Sequence, residues 1–310
     1  MCHVQSTLVM FVTKPLLSLT NSDTSVTAFW RCFVNTGHMK LNTLRMRRRG
    51  AMTTICIPAK DEAGTIAQVV DACMSMMRSH PSLIKEILVV DDRSTDDTAR
   101  IARERGARVV ATVGSPWLPF GSNGKGDAIA VGVRSCTSEL ITFVDADVTT
   151  LDPEFVVTLM RPLRRSRAVH LVKGTFRRVG GSSESGRVTM LTALPLLRLL
   201  HPEVATFQEP LGGIFSARVS TLAALDLEAD YGVDVGILLD VVSRYGRSSV
   251  EEVDVGSLEH RRRDLSSLSN TAEHVARAIL ARSSGQLGLS GDMRDKLRVV
   301  DERSIASLSA

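Results

Sequence analysis

Leu140-Ile141-Thr142-Phe143-Val144-Asp145-Ala146-Asp147 is a mostly apolar run that stops on two carboxylates. A run this short, bounded by polar residues, reads as a buried strand. The same grammar occurs twice upstream. Ile87-Leu88-Val89-Val90 ends in Asp91-Asp92, and Thr54 to Ile57 ends at Pro58, with the polar turn Ala59-Lys60-Asp61-Glu62 behind it. Strands that are apolar throughout, rather than alternating, belong to parallel sheets covered by helices on both faces.

The segments between these strands supply the helices. Ile66, Val69, Val70, Cys73, Met76 and Met77 recur at helical spacing on one face. Asp96, Asp97 and Thr98 offer N-terminal capping for a helix to about Arg105, stopped at Gly106, and Ala107 to Ala111 gives a third strand. A loop rich in Gly, Pro and Ser, Gly114 to Gly126, contains Trp117 and Phe120 and precedes a helix from about Asp127. This βαβ series predicts an α/β fold, a Rossmann-like, doubly wound and mainly parallel sheet. Such sheets bind ligands beyond the carboxyl ends of their strands, where Pro58 to Glu62, Asp91-Asp92 and Asp145-Ala146-Asp147 fall.

The second half has a different texture. Its reading is a helix from about Pro153, an alternating strand His170 to Phe176, a Gly/Ser-rich loop Gly180 to Gly186 and a helix through Leu191 to Leu200. Pro210-Leu211-Gly212-Gly213 follows, then a helix from about Asp234 to Arg244, a strand Val250 to Val255 and an amphipathic helix near Asn270 to Arg282. The expected organisation is a basic extension over 1–50, a first half over 51–150, a second half of the same domain over 151–283, and a tail over 284–310.

Composition narrows the class. The 310 residues are 44% hydrophobic, 23% charged and 4% aromatic, which excludes disordered, collagenous and disulfide-scaffold chains. Seven Lys/Arg against the single Asp23 give residues 1–50 a net +6, leaving 31 against 33, a net −2, in residues 51–310. Arg45, Arg47, Arg48 and Arg49 therefore read as a solvated tail, and the body is no nucleic-acid binder. The apolar stretch Leu8 to Leu19 is broken by Lys14 and Pro15 and is too short for a membrane helix, so no integral membrane segment is expected. Met39, Met46 and Met52 lie just before the first strand, so residues 1–50 read as a flexible extension or as a product of start-site assignment. Five scattered cysteines without metal or redox spacing fit a reducing, cytoplasmic setting.

Asp145 and Asp147 lie two positions apart at a strand end, so their repulsion calls for a cation, and a hard divalent ion shared with nucleotide phosphates answers it. Lys125, between Gly124 and Gly126 at a helix start, can meet an anion or a nucleobase. It is no Walker motif, and GxGxxG is missing after the first strand. Gly186-Arg187-Val188-Thr189 opens a helix and suits a phosphate or carboxylate. His260 stands before Arg261, Arg262 and Arg263, in a place for a metal ligand or a phosphate contact.

Ile57-Pro58-Ala59-Lys60-Asp61-Glu62, Val90 to Thr98, Gly124-Lys125-Gly126 and Asp145-Ala146-Asp147 resemble the donor-binding half of a GT-A glycosyltransferase. Val172-Lys173, Gly186-Arg187-Val188-Thr189, Pro210 to Gly213, Tyr231-Gly232-Val233-Asp234 and Glu259-His260-Arg261 are similar to the glucosyl-3-phosphoglycerate synthases, so the likeness runs over residues 53–283. The resemblance implies a metal-dependent, retaining transferase moving glucose from UDP-glucose to the 2-hydroxyl of 3-phosphoglycerate. It implies that Pro58, Ala59, Glu62, Asp92 and Lys125 cradle the uridine, that Asp145, Ala146 and Asp147 line the diphosphate, and that Tyr231, Asp234 and Arg263 stand near the sugar and diphosphate. Asp147 and His260 would ligate Mg²⁺ or Mn²⁺. Gly186, Arg187 and Thr189 would hold the acceptor phosphate, with Leu211 and Gly212 shaping the acceptor pocket. Asp147, Asp234 and Arg263 are the residues expected to act in catalysis.

Two departures lie on the donor side: Asp92-Arg93 stands where Ser-Gly is expected, and Asp234 replaces a Glu, one methylene shorter. They leave a mannosyl-3-phosphoglycerate synthase using GDP-mannose as the alternative. Polyprenyl-phosphate transfer, nucleotidyl transfer and a non-catalytic nucleotide-binding module rank lower, and a homodimer stays open. Because residues 1–50 carry no periodic core pattern, a chain beginning at Met52 should keep the thermal melting temperature of the full chain. Insoluble or unfolded protein on truncation would show that the extension contributes to the core.

Overall fold

The computed structural model describes residues 51–116, 118, 124–148, 150–178, 186–258, 265–285 and 287–288. The expected extension over 1–50, Trp117, Phe120, His260 and Arg263 lie outside them.

The strands are β1 (Thr53–Ala59), β2 (Ile84–Asp91), β3 (Arg108–Ala111), β4 (Leu140–Phe143), β5 (Leu171–Arg178), β6 (Phe215–Arg218) and β7 (Val250–Leu258). They form one sheet in the order β3-β2-β1-β4-β6-β5-β7. The β3-β2-β1-β4 block is parallel throughout, and β5 and β7 are parallel to each other. β6 lies antiparallel to both neighbours, β4 and β5. The sheet is thus mixed and mainly parallel, as the apolar strands required.

Around it pack α1 (Ile66–Ser79), α2 (Thr98–Glu104), α3 (Lys125–Ser135), α4 (Phe155–Arg165), α5 (Leu194–Leu200), the short α6 (Val219–Leu222), α7 (Val233–Tyr245) and α8 (Leu265–Ser283). Strand alternation divides the core in two. Cys56, Leu88, Val90, Ile141, Phe143 and Phe215 face one way, onto Ile129 of α3, Leu238 of α7 and Ile279 of α8. Ile55, Ile57, Ile87, Val89 and Leu140 face the other, onto Val69 and Cys73 of α1 and Phe155 and Leu159 of α4. Each buried leucine or isoleucine contributes about 1.5–3 kcal/mol of apolar burial.

Three differences from the sequence expectations have local causes. β6 went unread because four residues, ending in Arg218, make too short a run to register. Its position explains Thr142, the polar residue inside the β4 run. Thr142 Oγ1 meets Thr53 Oγ1 at 3.0 Å and Ser216 Oγ at 2.6 Å, a line of buried hydroxyls across β1, β4 and β6. Second, Asp96 rather than Asp97 caps α2: its Oδ1 accepts from Thr98 N at 2.9 Å, whereas the Asp97 side chain makes no cap bond. Third, the helix that opens at Gly186 to Thr189 and runs through Leu191 to Leu200 is not α-helical from its start but carries a π turn, Thr189–Ala193, before α5.

The N-terminus of α3 is pinned from behind. A Cβ at Gly126 would come within 1.7 Å of the Glu228 carbonyl oxygen, and one at Gly124 within 2.6 Å of that of Ala229. Asp127 N also donates to Ala229 O at 3.0 Å. Gly126→Ala should therefore cost roughly 1–3 kcal/mol through backbone displacement, or about 3–10 °C in melting temperature. Gly64→Ala, which meets open space, is the control; equal melting temperatures would refute the close approach.

Candidate active site

At the carboxyl ends of β1 and β2 two loops are laced together. Asp61 N donates to Ser94 Oγ at 3.0 Å, Thr95 N to Asp61 Oδ1 at 2.7 Å, Glu62 N to Thr98 Oγ1 at 2.8 Å, and Ala63 N to Asp96 Oδ2 at 3.0 Å. The residues at the two loop apices, Asp61 and Arg93, have φ of 54° and 59°. L-residues other than Asn, Asp and His adopt that region rarely. Asp92 is buried; its N–H donates to Ala59 O at 2.8 Å and its Oδ1 accepts from Thr112 Oγ1 at 2.9 Å. The Arg93 guanidinium pairs with Asp92 and reaches to 3.6 Å from Asp127 Oδ2 in the first turn of α3.

Beyond β4, the first residue of α3 turns its side chain inward. Lys125 Nζ lies 3.1 Å from Asp145 Oδ1 and 2.9 Å from Asp234 Oδ2, so one ammonium joins the end of β4, the start of α3 and the start of α7. Burial pulls the lysine's pKa down, but the two carboxylates outweigh it and hold the pKa well above the ordinary value. The Asp234 side chain is 7% exposed, and its Oδ1 is buried with no hydrogen-bond partner among the described residues. Buried polar atoms of that kind are rare, and a sugar hydroxyl is the sort of donor that would satisfy this one. Gly213 presses its backbone onto the pair: a Cβ there would sit 2.4 Å from both Asp145 Oδ1 and Lys125 Nζ.

Asp145 and Asp147 are half-buried in the turn after β4, and Ala146 between them is buried. Among the described residues no group of three His, Cys, Asp or Glu is arranged to hold a metal, and His260 lies outside them. The donor set at the turn is nonetheless carboxylate oxygen, the ligand type that Mg²⁺ and Mn²⁺ prefer.

On the far side, Gly186 at φ 80° and the half-buried Arg187 and Thr189 open the helix that runs into α5, as the sequence suggested. Leu211 and Gly212 lie in the turn before β6, where Gly212 N donates to Glu209 O at 3.0 Å. Tyr231, just ahead of α7, stacks on His274 of α8 with ring centroids 6.3 Å apart. Arg263 and His260, expected near the diphosphate, are outside the described residues, so the structure assigns neither a place.

The glycosyl transferase family 2 profile matches residues 54–215. The chain is 35% identical over 249 residues to the glucosyl-3-phosphoglycerate synthase of Mycolicibacterium paratuberculosis, covering 77% of this chain and 74% of that protein. The chain belongs to the glucosyl-3-phosphoglycerate synthase family. Within that family the structure is similar to the crystal structure of the Mycobacterium tuberculosis synthase in complex with phosphoglyceric acid, at a TM-score of 0.70 and 33% identity, covering 78% of this chain and 81% of that one. It is also similar, at a TM-score of 0.68 and 33% identity with the same coverage, to the M. tuberculosis synthase in complex with Mn²⁺, UDP-glucose and phosphoglyceric acid. The GT-A sheet and the family expected from the motifs are thereby confirmed.

Sequence reasoning assigned no role to Lys173, although a lone lysine in the buried run Leu171-Val172-Lys173-Gly174 was the signal. It is 1% exposed; its Nζ donates to Gly212 O at 2.6 Å and Pro210 O at 3.4 Å, and lies 5.6 Å from the centroid of the Phe215 ring. It thus holds the turn that carries Leu211, Gly212 and Gly213. Burial lowers its pKa to about 8, with Lys125 acting in the same sense and Asp234, Glu209 and Asp145 partly opposing.

A lysine depressed from 10.5 to about 8 leaves the unfolded chain binding more protons between those values, so stability rises with pH across that window. Below about pH 8 both states are protonated and the contribution is flat. Urea unfolding should therefore show the native protein gaining roughly 1–2 kcal/mol relative to Lys173→Met between pH 8 and 9.5, with a constant difference from pH 6 to 7.5. Parallel pH profiles over the whole range would refute the depressed pKa.

Proposed function

We propose that the protein transfers glucose from UDP-glucose to the 2-hydroxyl of 3-phosphoglycerate with retention at the anomeric carbon, using Mg²⁺ or Mn²⁺. Coverage supports this reading over its rivals. The general family profile ends at residue 215, whereas similarity to the synthases spans 77% of the chain, and the synthase-like motifs of the second half include the helix opening at Arg187 and Thr189. The buried cysteines Cys56 and Cys73 are free thiols, which supports a cytoplasmic enzyme. No helix among the described residues is long and apolar enough to cross a membrane, which weighs against a polyprenyl-phosphate acceptor.

In this reading the nucleoside lies over Pro58, Ala59, Glu62, Asp92 and Lys125, with Asp145, Ala146 and Asp147 lining the diphosphate and Tyr231 beside the sugar. Asp147, with His260, would hold the divalent ion, which supplies positive charge to the leaving diphosphate. Asp234 takes a sugar hydroxyl on its unpartnered Oδ1, and its other oxygen, fixed by Lys125, sets its direction. Preorganised charge of this kind is the largest contribution in most enzymes. The bond from the anomeric carbon to the UDP oxygen breaks while the bond to the acceptor oxygen forms on the same face. The hydroxyl proton passes to the departing phosphate, so no strong side-chain base is required. Arg263 would sit beside that phosphate. Gly186, Arg187 and Thr189 would grip the acceptor's phosphate, and Leu211 and Gly212 would wall its carbon chain.

The deciding experiment is an activity matrix of UDP-glucose, GDP-glucose and GDP-mannose against 3-phosphoglycerate, with and without Mg²⁺ or Mn²⁺. The reading expects UDP-glucose with metal to be the productive combination, and turnover only with GDP-mannose would replace it. Arg187→Ala removes one charge-assisted partner worth about 1.5–3 kcal/mol, so the acceptor KM should rise roughly 10- to 150-fold with the donor KM nearly constant. Equal weakening of both substrates would refute the phosphate grip.

A further inference from the structure

We infer that Arg282, near the end of α8, is a positioning residue for Lys125: acting through Glu228, it braces the start of α3 and so sets where the Lys125 ammonium stands. Lys125 meets the nucleotide in the donor reading above, on which this inference rests.

Arg282 gathers three parts of the chain at one guanidinium. Its Nε and Nη2 donate to Asp240 Oδ1 and Oδ2 of α7, at 2.7 and 2.6 Å. Its Nη1 donates to Glu228 Oε1, and to Ala278 O of its own helix at 3.2 Å. The arginine and both acids are half-buried. A planar guanidinium that grips a carboxylate by two bonds is fixed in direction as well as in place. Gly236 of α7 makes room for the pair, since a Cβ there would run into Glu228 Oε2 and lie 2.9 Å from Arg282 Nη2.

Glu228 carries that anchorage to α3. Its side chain is held by Arg282, while its carbonyl oxygen lies against Gly126 in the first turn of α3. The next carbonyl, of Ala229, lies against Gly124 and accepts from Asp127 N at 3.0 Å. Lys125 stands between those two glycines. The same segment also leads into α7: Asp230 Oδ1 accepts from Gly232 N at 2.7 Å, two residues before Asp234. A displacement of residues 228–230 therefore reaches both ends of the 2.9 Å contact between Lys125 Nζ and Asp234 Oδ2. Packing this close passes a shift on rather than absorbing it.

A purely structural role predicts something else. If Arg282 served only to hold α8 against α7, its two bonds to Asp240 would suffice and Glu228 would be dispensable. The bond to Glu228 is the one that leads to the site.

The test is calorimetric titration of the full chain with UDP and Mg²⁺, with the KM for 3-phosphoglycerate measured at saturating UDP-glucose. It compares wild type, Arg282→Met, Arg282→Lys, Glu228→Gln and the double variant Glu228→Gln/Arg282→Met, with thermal melts confirming folding. Arg282→Met should weaken UDP roughly 3- to 30-fold with the acceptor KM held within about 2-fold, the span of changes that act through intervening contacts. The binding stoichiometry should stay near that of the wild type, whereas a role confined to folding would lower it at an unchanged dissociation constant. Lys reaches one of the two acids, so Arg282→Lys should fall between. The double variant should bind UDP no worse than Arg282→Met, because both changes cut one strut. Unaltered UDP affinity in folded Arg282→Met, additive losses in the double variant, or equal weakening of UDP and acceptor would each overturn the inference alone. Should Arg282→Met not fold, Arg282→Lys and Glu228→Gln carry the test, and unaltered UDP affinity in both would overturn it. A wild type that does not bind UDP would overturn the donor reading, and the inference with it.

Discussion

One half-buried ammonium organises the carboxyl edge of the sheet. Lys125 lies between carboxylates from β4 and α7, and Asp234 lies 109 positions further along the chain. Buried charge is costly unless paired, so both acids lean on the one ammonium. Removing Lys125 would take away the cation that holds the two carboxylates together. The glycine at 213, where a Cβ would push on the ends of the Asp145 and Lys125 side chains, follows from the same requirement, since the turn before β6 must close over the pair without displacing it. Lys173 supports that turn from below through the carbonyls of Pro210 and Gly212.

In the proposed function the site is also split by chemical task. Its donor side is built from short connections between strand ends and helix starts, stiffened by Asp, Ser and Thr side chains that cap one loop with another. Its acceptor side is a helix opening preceded by a glycine at positive φ and continued by a π turn, a local irregularity common at functional positions. Stiff walls suit a nucleotide whose shape varies little.

Much of this was legible in the sequence because parallel strands announce themselves. Runs such as Ile87 to Val90 have few other uses, and carboxylates that follow them must lie at the ligand-binding edge. Contacts between distant segments were not legible. Asp145, Lys125 and Asp234 were each singled out by motif, yet nothing in their spacing shows that one ammonium serves both acids. Lys173 was visible only as an anomaly in an apolar strand, and the carbonyls it holds belong to another segment. β6 escaped for the opposite reason: Phe215-Ser216-Ala217-Arg218 has too few residues to show a period, and what makes it a strand is the two neighbours that receive it. Thr142 and Ser216 carry that pairing in hydroxyls, which a hydropathy pattern scores as noise.

The antiparallel placement of β6 bears on how the chain is made. As the polypeptide leaves the ribosome, β1 to β4 can assemble first, but the outer edge of β4 has no hydrogen-bonding neighbour until Phe215–Arg218 emerges, more than 70 residues after β4 ends. During that interval the nascent sheet presents an open border of the kind that recruits stray strands from other chains. The sheet is closed by a piece of the later half inserted between the earlier strands and β5. Neither half is therefore a self-sufficient fragment, and a split of the gene near residue 150 would separate a sheet from its own seam.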